Sequence, residues 1–116
     1  MKIFNRKEFL QQPAGILYRQ RNSNSSFGNI EIKGGNCGTN DFACMDFGAA
    51  KDEDETDMWL DSSISRPIQL DYYGRDGCFD DDALFLVYET WDLEQLRDII
   101  NQAITISPKQ KFQNKF

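Results

Sequence analysis

The sequence predicts a single α+β domain: a mainly antiparallel sheet with a short N-terminal helix and a C-terminal helix. Three observations predict it. Several short segments alternate apolar and polar residues at the two-residue period of a strand. Both ends of the chain carry helix-capping signatures. Fifteen aromatic residues in a 116-residue chain, with hydrophobic residues at 40%, are enough for one core.

The elements follow in order. In "NRKEFLQQP", Asn5 is placed to cap a helix and Glu8, three residues on, to close a capping box. Phe9 and Leu10 are expected to face the core, with Pro13 and Gly15 ending the helix. "GILYRQR" reads as a strand that sets Ile16 and Tyr18 opposite Leu17 and Arg19. "NSNSS" is a loop of turn formers. "FGNIEIK" reads as a second strand carrying Phe27, Ile30 and Ile32, stopped by Gly34 and Gly35. Alternation from Asp41 to Phe47 gives a third.

"AAKDEDETD" is a solvated acidic excursion. "MWLDSSIS" reads as one helical turn or a surface loop anchoring Trp59. "RPIQLDYYG" is a strand starting after Pro67, "GRDG" a hairpin turn, and "ALFLVYE" a central strand that is apolar on both faces. In "TWDLEQLRDIINQAI", Leu93, Leu96, Ile99, Ile100 and Ala103 recur at helical spacing, with Asp92 as cap and Gln95 closing its box. The domain therefore spans residues 1–107, its helices covering the sheet on one side, and 108–116 form a basic tail.

Net charge is −6, but it is segregated. Residues 1–33 carry six basic and two acidic groups, a net of +4. Residues 34–104 carry four basic and seventeen acidic groups, a net of −13, and 105–116 carry three lysines. This pattern excludes a uniformly basic nucleic-acid binder and allows pairing between copies or with a charged partner. No apolar run is long enough for a membrane helix, and "MKIFNRKEFLQQ" lacks the apolar core of a signal peptide. Three cysteines do not suggest a secreted disulfide framework, and the location expected is cytoplasmic.

Catalytic motifs are missing from the sequence. The chain has no histidine, so the commonest general acid–base group is missing. No base is visible beside Cys37, Cys44 or Cys78 to activate a thiol, and Cys37 and Cys44 lack zinc-knuckle spacing. An EF-hand aligned on Gly77 would start at Tyr72 and end at Ala83, without the required carboxylates. Glu31-Ile32-Lys33 looks like the end of a restriction-nuclease signature, but no aspartate precedes it. Phosphate-cradling glycine motifs are missing too. The chain reads as a binding protein with no catalytic residues, no metal and no cofactor.

Two clusters mix aromatics with arginine: Tyr18, Arg19, Arg21, Phe27 and Gly28, and then Tyr72, Tyr73 and Arg75. Such groups stack on bases and fork onto phosphates, or they are simply core residues and solubilising charges. Asp80, Asp81 and Asp82 precede the apolar strand, where charge opposes edge aggregation or forms a contact surface.

"EFLQQPAGILY" at Glu8–Tyr18, Phe27-Gly28, and "FDDDALFLVYE" at Phe79–Glu89 resemble a group of small bacteriophage and prophage proteins without an assigned activity. The resemblance implies a counter-defence role in the host cytoplasm. In one form the protein is a homo-oligomer that sequesters a nucleotide immune signal, using Arg19, Arg21, Arg75 and the neighbouring tyrosines. In the other it is an acidic inhibitor of a host defence protein. Asp52, Glu53, Asp54, Glu55 and Asp57, with Asp80–Asp82, would then imitate nucleic-acid phosphates.

Overall fold

A computed structural model of the chain describes residues 1–47, 70 and 73–108. The chain order is β1 (Lys2–Asn5), α1 (Arg6–Leu10), β2 (Leu17–Arg21), β3 (Glu31–Asn36), β4 (Phe42–Asp46), β5 (Gly74–Arg75), β6 (Leu84–Val87) and α2 (Thr90–Ile106). The strands form one antiparallel sheet in the order β1-β6-β2-β3-β4-β5. The fold is α+β, as the sequence indicates.

The expected capping box forms at α1. The Asn5 side chain accepts from the Glu8 N–H at 2.8 Å, and the Glu8 carboxylate accepts from the Asn5 N–H at 3.1 Å. The box aims Phe9 at the sheet. Phe9 stacks on Phe85 with ring centroids 4.0 Å apart and meets Tyr18 and Phe42 edge-on. These four rings are fully buried, with Ala83 and Val87 beside them. Burial of each ring contributes roughly 1.5–3 kcal/mol. Register places Tyr18, Glu31 and Asp46 on this face, beside Val87. Leu17, Arg19, Ile32, Met45 and Leu86 alternate onto the other.

Several local expectations need correction. "MKIFN" is a strand that its short length disguised; it pairs Ile3 with Leu86 and Phe4 with Phe85. The strand expected from Phe27 begins only at Glu31, and it runs through Gly34 and Gly35 to Asn36, with a register shift after Lys33. Gly34 does not stop it because the missing Cβ is what lets the strands approach. A Cβ there would lie 2.9 Å from the Ala43 Cβ and 3.1 Å from the Ala43 carbonyl oxygen. "GRDG" is no hairpin turn: Gly74 and Arg75 pair with β4 at the edge of the sheet, with β2, β3 and β4 between them and β6. The expected strand "RPIQLDYYG" and the segments 49–57 and 58–65 lie mainly or wholly outside the described residues.

α2 departs furthest from expectation. It starts at Thr90, and Asp92 is its third residue rather than its cap, accepting from the Glu89 N–H at 2.9 Å. The Met1 amino group lies 2.7 Å from the same carboxylate. No residue of α2 is buried, so its apolar stripe does not cover the sheet. Among the described residues, only α1 adds a helix to the core.

Candidate functional site

The first predicted cluster is divided between the two faces of the sheet. Tyr18 is fully buried on the core face, while Arg19 and Arg21 extend towards the loop 22–30. Arg19 Nε donates to the Gly28 carbonyl at 2.7 Å and Nη2 to the Phe27 carbonyl at 3.4 Å. Arg21 Nε donates to the Ser25 carbonyl at 2.9 Å. The Gly28 N–H returns a bond to the Gln20 carbonyl at 2.8 Å. Both guanidinium groups thus fasten the loop to β2. Phe27 is half-buried within it and Gly28 is exposed.

The second cluster is likewise engaged. Nε and Nη2 of Arg75 both reach Asp41 Oδ2 at 2.8 Å, and the other Asp41 oxygen accepts from the Gly77 N–H at 2.9 Å. Burial pushes the Asp41 carboxyl up, but bonds from the Gly77 and Phe42 backbones and from Arg75 outweigh it and hold the group low. Tyr73 is exposed, with its ring edge over Gly34. Tyr72 lies outside the described residues, as do Asp52, Glu53, Asp54, Glu55 and Asp57.

Beside the arginine-fastened loop is a cleft of about 440 Å³, lined by Gln20, Asn22, Ser25, Gly28, Cys78 and three carboxylates, Glu31, Asp46 and Asp76. Glu31 and Asp46 are direct cross-strand partners. Burial, and then the Asp46 charge, raise the Glu31 carboxyl above its ordinary value. Asp76 is buried in an ion pair with Arg6 at 3.1 Å, and Arg6 also donates to the Asn40 side chain and carbonyl. Among the described residues the Tyr18 hydroxyl has no oxygen or nitrogen partner, and its acidity is suppressed by burial and by Glu31. A concave surface of this charge repels phosphates and favours donors or cations.

Two of the three thiols lie where their surroundings disfavour the thiolate. Burial and Glu31 push the Cys44 thiol up to about 12, and burial with Asp76 raises Cys78. Among the described residues, no three His, Cys, Asp or Glu side chains are grouped to hold a metal ion. Among them, too, no helix is long and apolar enough to cross a membrane.

The three consecutive aspartates have different jobs. Asp80 accepts from the Ser23 N–H at 2.7 Å, the Ser23 hydroxyl at 3.1 Å and the Asp82 N–H at 3.0 Å. The Ser23 N–H is the main cause of its lowered pKa. It is a clamp between the turn and the loop 22–30. Asp81 and Asp82 are exposed, and among the described residues Asp81 accepts only from the Asn40 amide, at 3.4 Å. Phe79, just before them, is 53% exposed and sits at φ 51°, a left-handed conformation that bulky residues rarely adopt. Sequence reasoning passed over Phe79; an aromatic residue between a turn glycine and a charge run was its only signal.

No family model matches the chain, and no curated protein or solved structure matches it either.

Proposed function

We propose that the protein is a non-enzymatic, stoichiometric inhibitor of the counter-defence type that binds a host protein directly, through the acidic turn at Phe79–Asp82. One contrast carries this reading. The arginines expected to hold a nucleotide are engaged with the protein's own oxygens, whereas Phe79, Asp81 and Asp82 stand exposed on a turn clamped by Asp80. The neighbouring acidic cleft favours a basic partner over an anionic nucleotide. A left-handed, exposed aromatic residue is a strained arrangement of the sort that collects at contact sites. The partner surface is basic, with an apolar pocket for the Phe79 ring, and the acidic side imitates nucleic-acid phosphates. The setting is the host cytoplasm, as the resemblance to phage proteins implies.

The test is affinity capture from host lysate with the wild type and with Asp81→Asn/Asp82→Asn. A host protein released by salt and lost with the variant is the expected result. Equal capture by both removes the turn from the interface. A nucleotide retained in stoichiometric amount by the purified protein, and lost with Arg75→Ala, would instead restore sequestration.

A further inference from the structure

We infer that α2 is a self-association helix, through which two copies of the chain pair antiparallel, with Leu96 of each copy against Ile100 of the other. The surface is separate from the acidic turn.

The first argument is that, among the described residues, α2 has no fully buried side chain to stabilise it. In proteins most helical stability comes from packing an amphipathic face rather than from intrinsic propensity. Its 17 residues include Thr90, Ile99, Ile100, Ile104, Thr105 and Ile106, all β-branched and only moderate helix formers. The local support is at one end, where Met1 and the Asp92 side chain hold the first turn. Leu93, Ile99, Ile100, Ile104 and Ile106 remain 37, 62, 57, 64 and 83% exposed. With the half-buried Leu96 among them, these residues form an apolar face of the kind that marks a contact surface.

The second argument identifies the occupant. Leu93, Leu96, Ile100 and Ala103 are spaced 3, 4 and 3 residues apart, the seam spacing of a two-helix contact, with Ile99 and Ile104 on its flanks. Paired antiparallel about residue 98, the seam is self-complementary: Leu96 meets Ile100 and Leu93 meets the small Ala103. Two such faces cover on the order of 1,000 Å² together, the lower bound for a specific interface.

Charge fixes the direction. Asp92, Glu94 and Asp98, against Arg97 alone, make the first half of α2 acidic, and 99–106 carry no charge. The sequence beyond contains Lys109, Lys111 and Lys115. Parallel pairing would set the acidic halves side by side. Antiparallel pairing sets each against the other copy's uncharged half, and opposes the helix dipoles.

Sedimentation velocity of the full chain over a dilution series tests this. The wild type should sediment at twice 13.4 kDa and dissociate on dilution. Leu96→Glu/Ile100→Glu should weaken association by more than about a hundredfold, since it places carboxylates in the seam. The variant should keep its sheet signal, because α2 contributes nothing buried to the core, and lose helical ellipticity. Carbodiimide cross-linking of mixed isotopic copies should join Lys109 or Lys111 of one to Glu89 or Asp92 of the other. A wild-type monomer that keeps its helix at every concentration, or a variant that remains dimeric, overturns the proposal. Intermolecular links confined to the same half of the helix overturn its direction.

Discussion

Replacing Arg6 by Met should lower stability by about 3 kcal/mol, at the low end of the ~3–5 kcal/mol for breaking a buried ion pair. The structure sets this magnitude through two opposing effects. The Arg6 and Asp76 side chains are 3% and 6% exposed, so the substitution leaves the Asp76 carboxylate without its buried cation. It also removes donors to the Asn40 side chain and carbonyl, at 2.9 and 2.8 Å. Against that, Nη1 of Arg6 is buried without a partner among the described residues, a desolvation cost that the variant recovers. Met keeps much of the volume over Phe42, whose ring centroid is 5.8 Å from the guanidinium carbon. For a domain of this size, about 3 kcal/mol corresponds to a fall in Tm of roughly 12–24 °C. Urea and thermal melts followed by circular dichroism measure it. Arg6→Met/Asp76→Leu should recover part of the loss, because no charge is then stranded. A fall in Tm of less than about 4 °C, or a double variant no better than the single one, would refute the reasoning.

Gly34→Ala should cost about 1–3 kcal/mol by overpacking, since its Cβ would meet both the side chain and the carbonyl of Ala43; an unchanged urea midpoint would contradict this. Glu31→Gln should raise Tm at neutral pH. The folded carboxyl is held above its ordinary 4.5 by burial and by Asp46, so just above pH 4.5 the native state keeps a proton that the unfolded chain has released, and at higher pH its charge opposes folding. The wild type is therefore favoured below pH 4.5, and loses that advantage as pH rises through the folded value. The variant's stability should vary less with pH across this window, and parallel profiles for the two proteins would refute the assignment.

Local chemistry made much of the fold legible. The Asn5–Glu8 box, the burial of Phe9, the strand at 42–46 and the apolar strand at 84–87 all rest on side chains that act within a few residues of themselves. Errors arose where distant partners decide. "GRDG" carries the glycines of a turn, yet β4 recruits Gly74 and Arg75 while Asp41 fixes the guanidinium. Gly34 reads as a stop, but it serves a close approach to Ala43. The stripe of α2 was visible, but periodicity does not say which surface covers it. The candidate site was less legible for the same reason. Arginine beside tyrosine looks like ligand chemistry until the loop carbonyls that Arg19 and Arg21 hold are seen. The division of labour among Asp80, Asp81 and Asp82 depends on Ser23, 57 residues away from Asp80.

The most direct test of the proposed function is calorimetric titration of the captured host protein with the wild type and with Asp81→Asn/Asp82→Asn, over a series of salt concentrations. Direct acidic docking predicts wild-type binding that weakens as salt rises. It also predicts that the variant binds about tenfold or more weakly at low salt, with a shallower salt dependence. Equal affinities and equal salt dependences for the two proteins would contradict it.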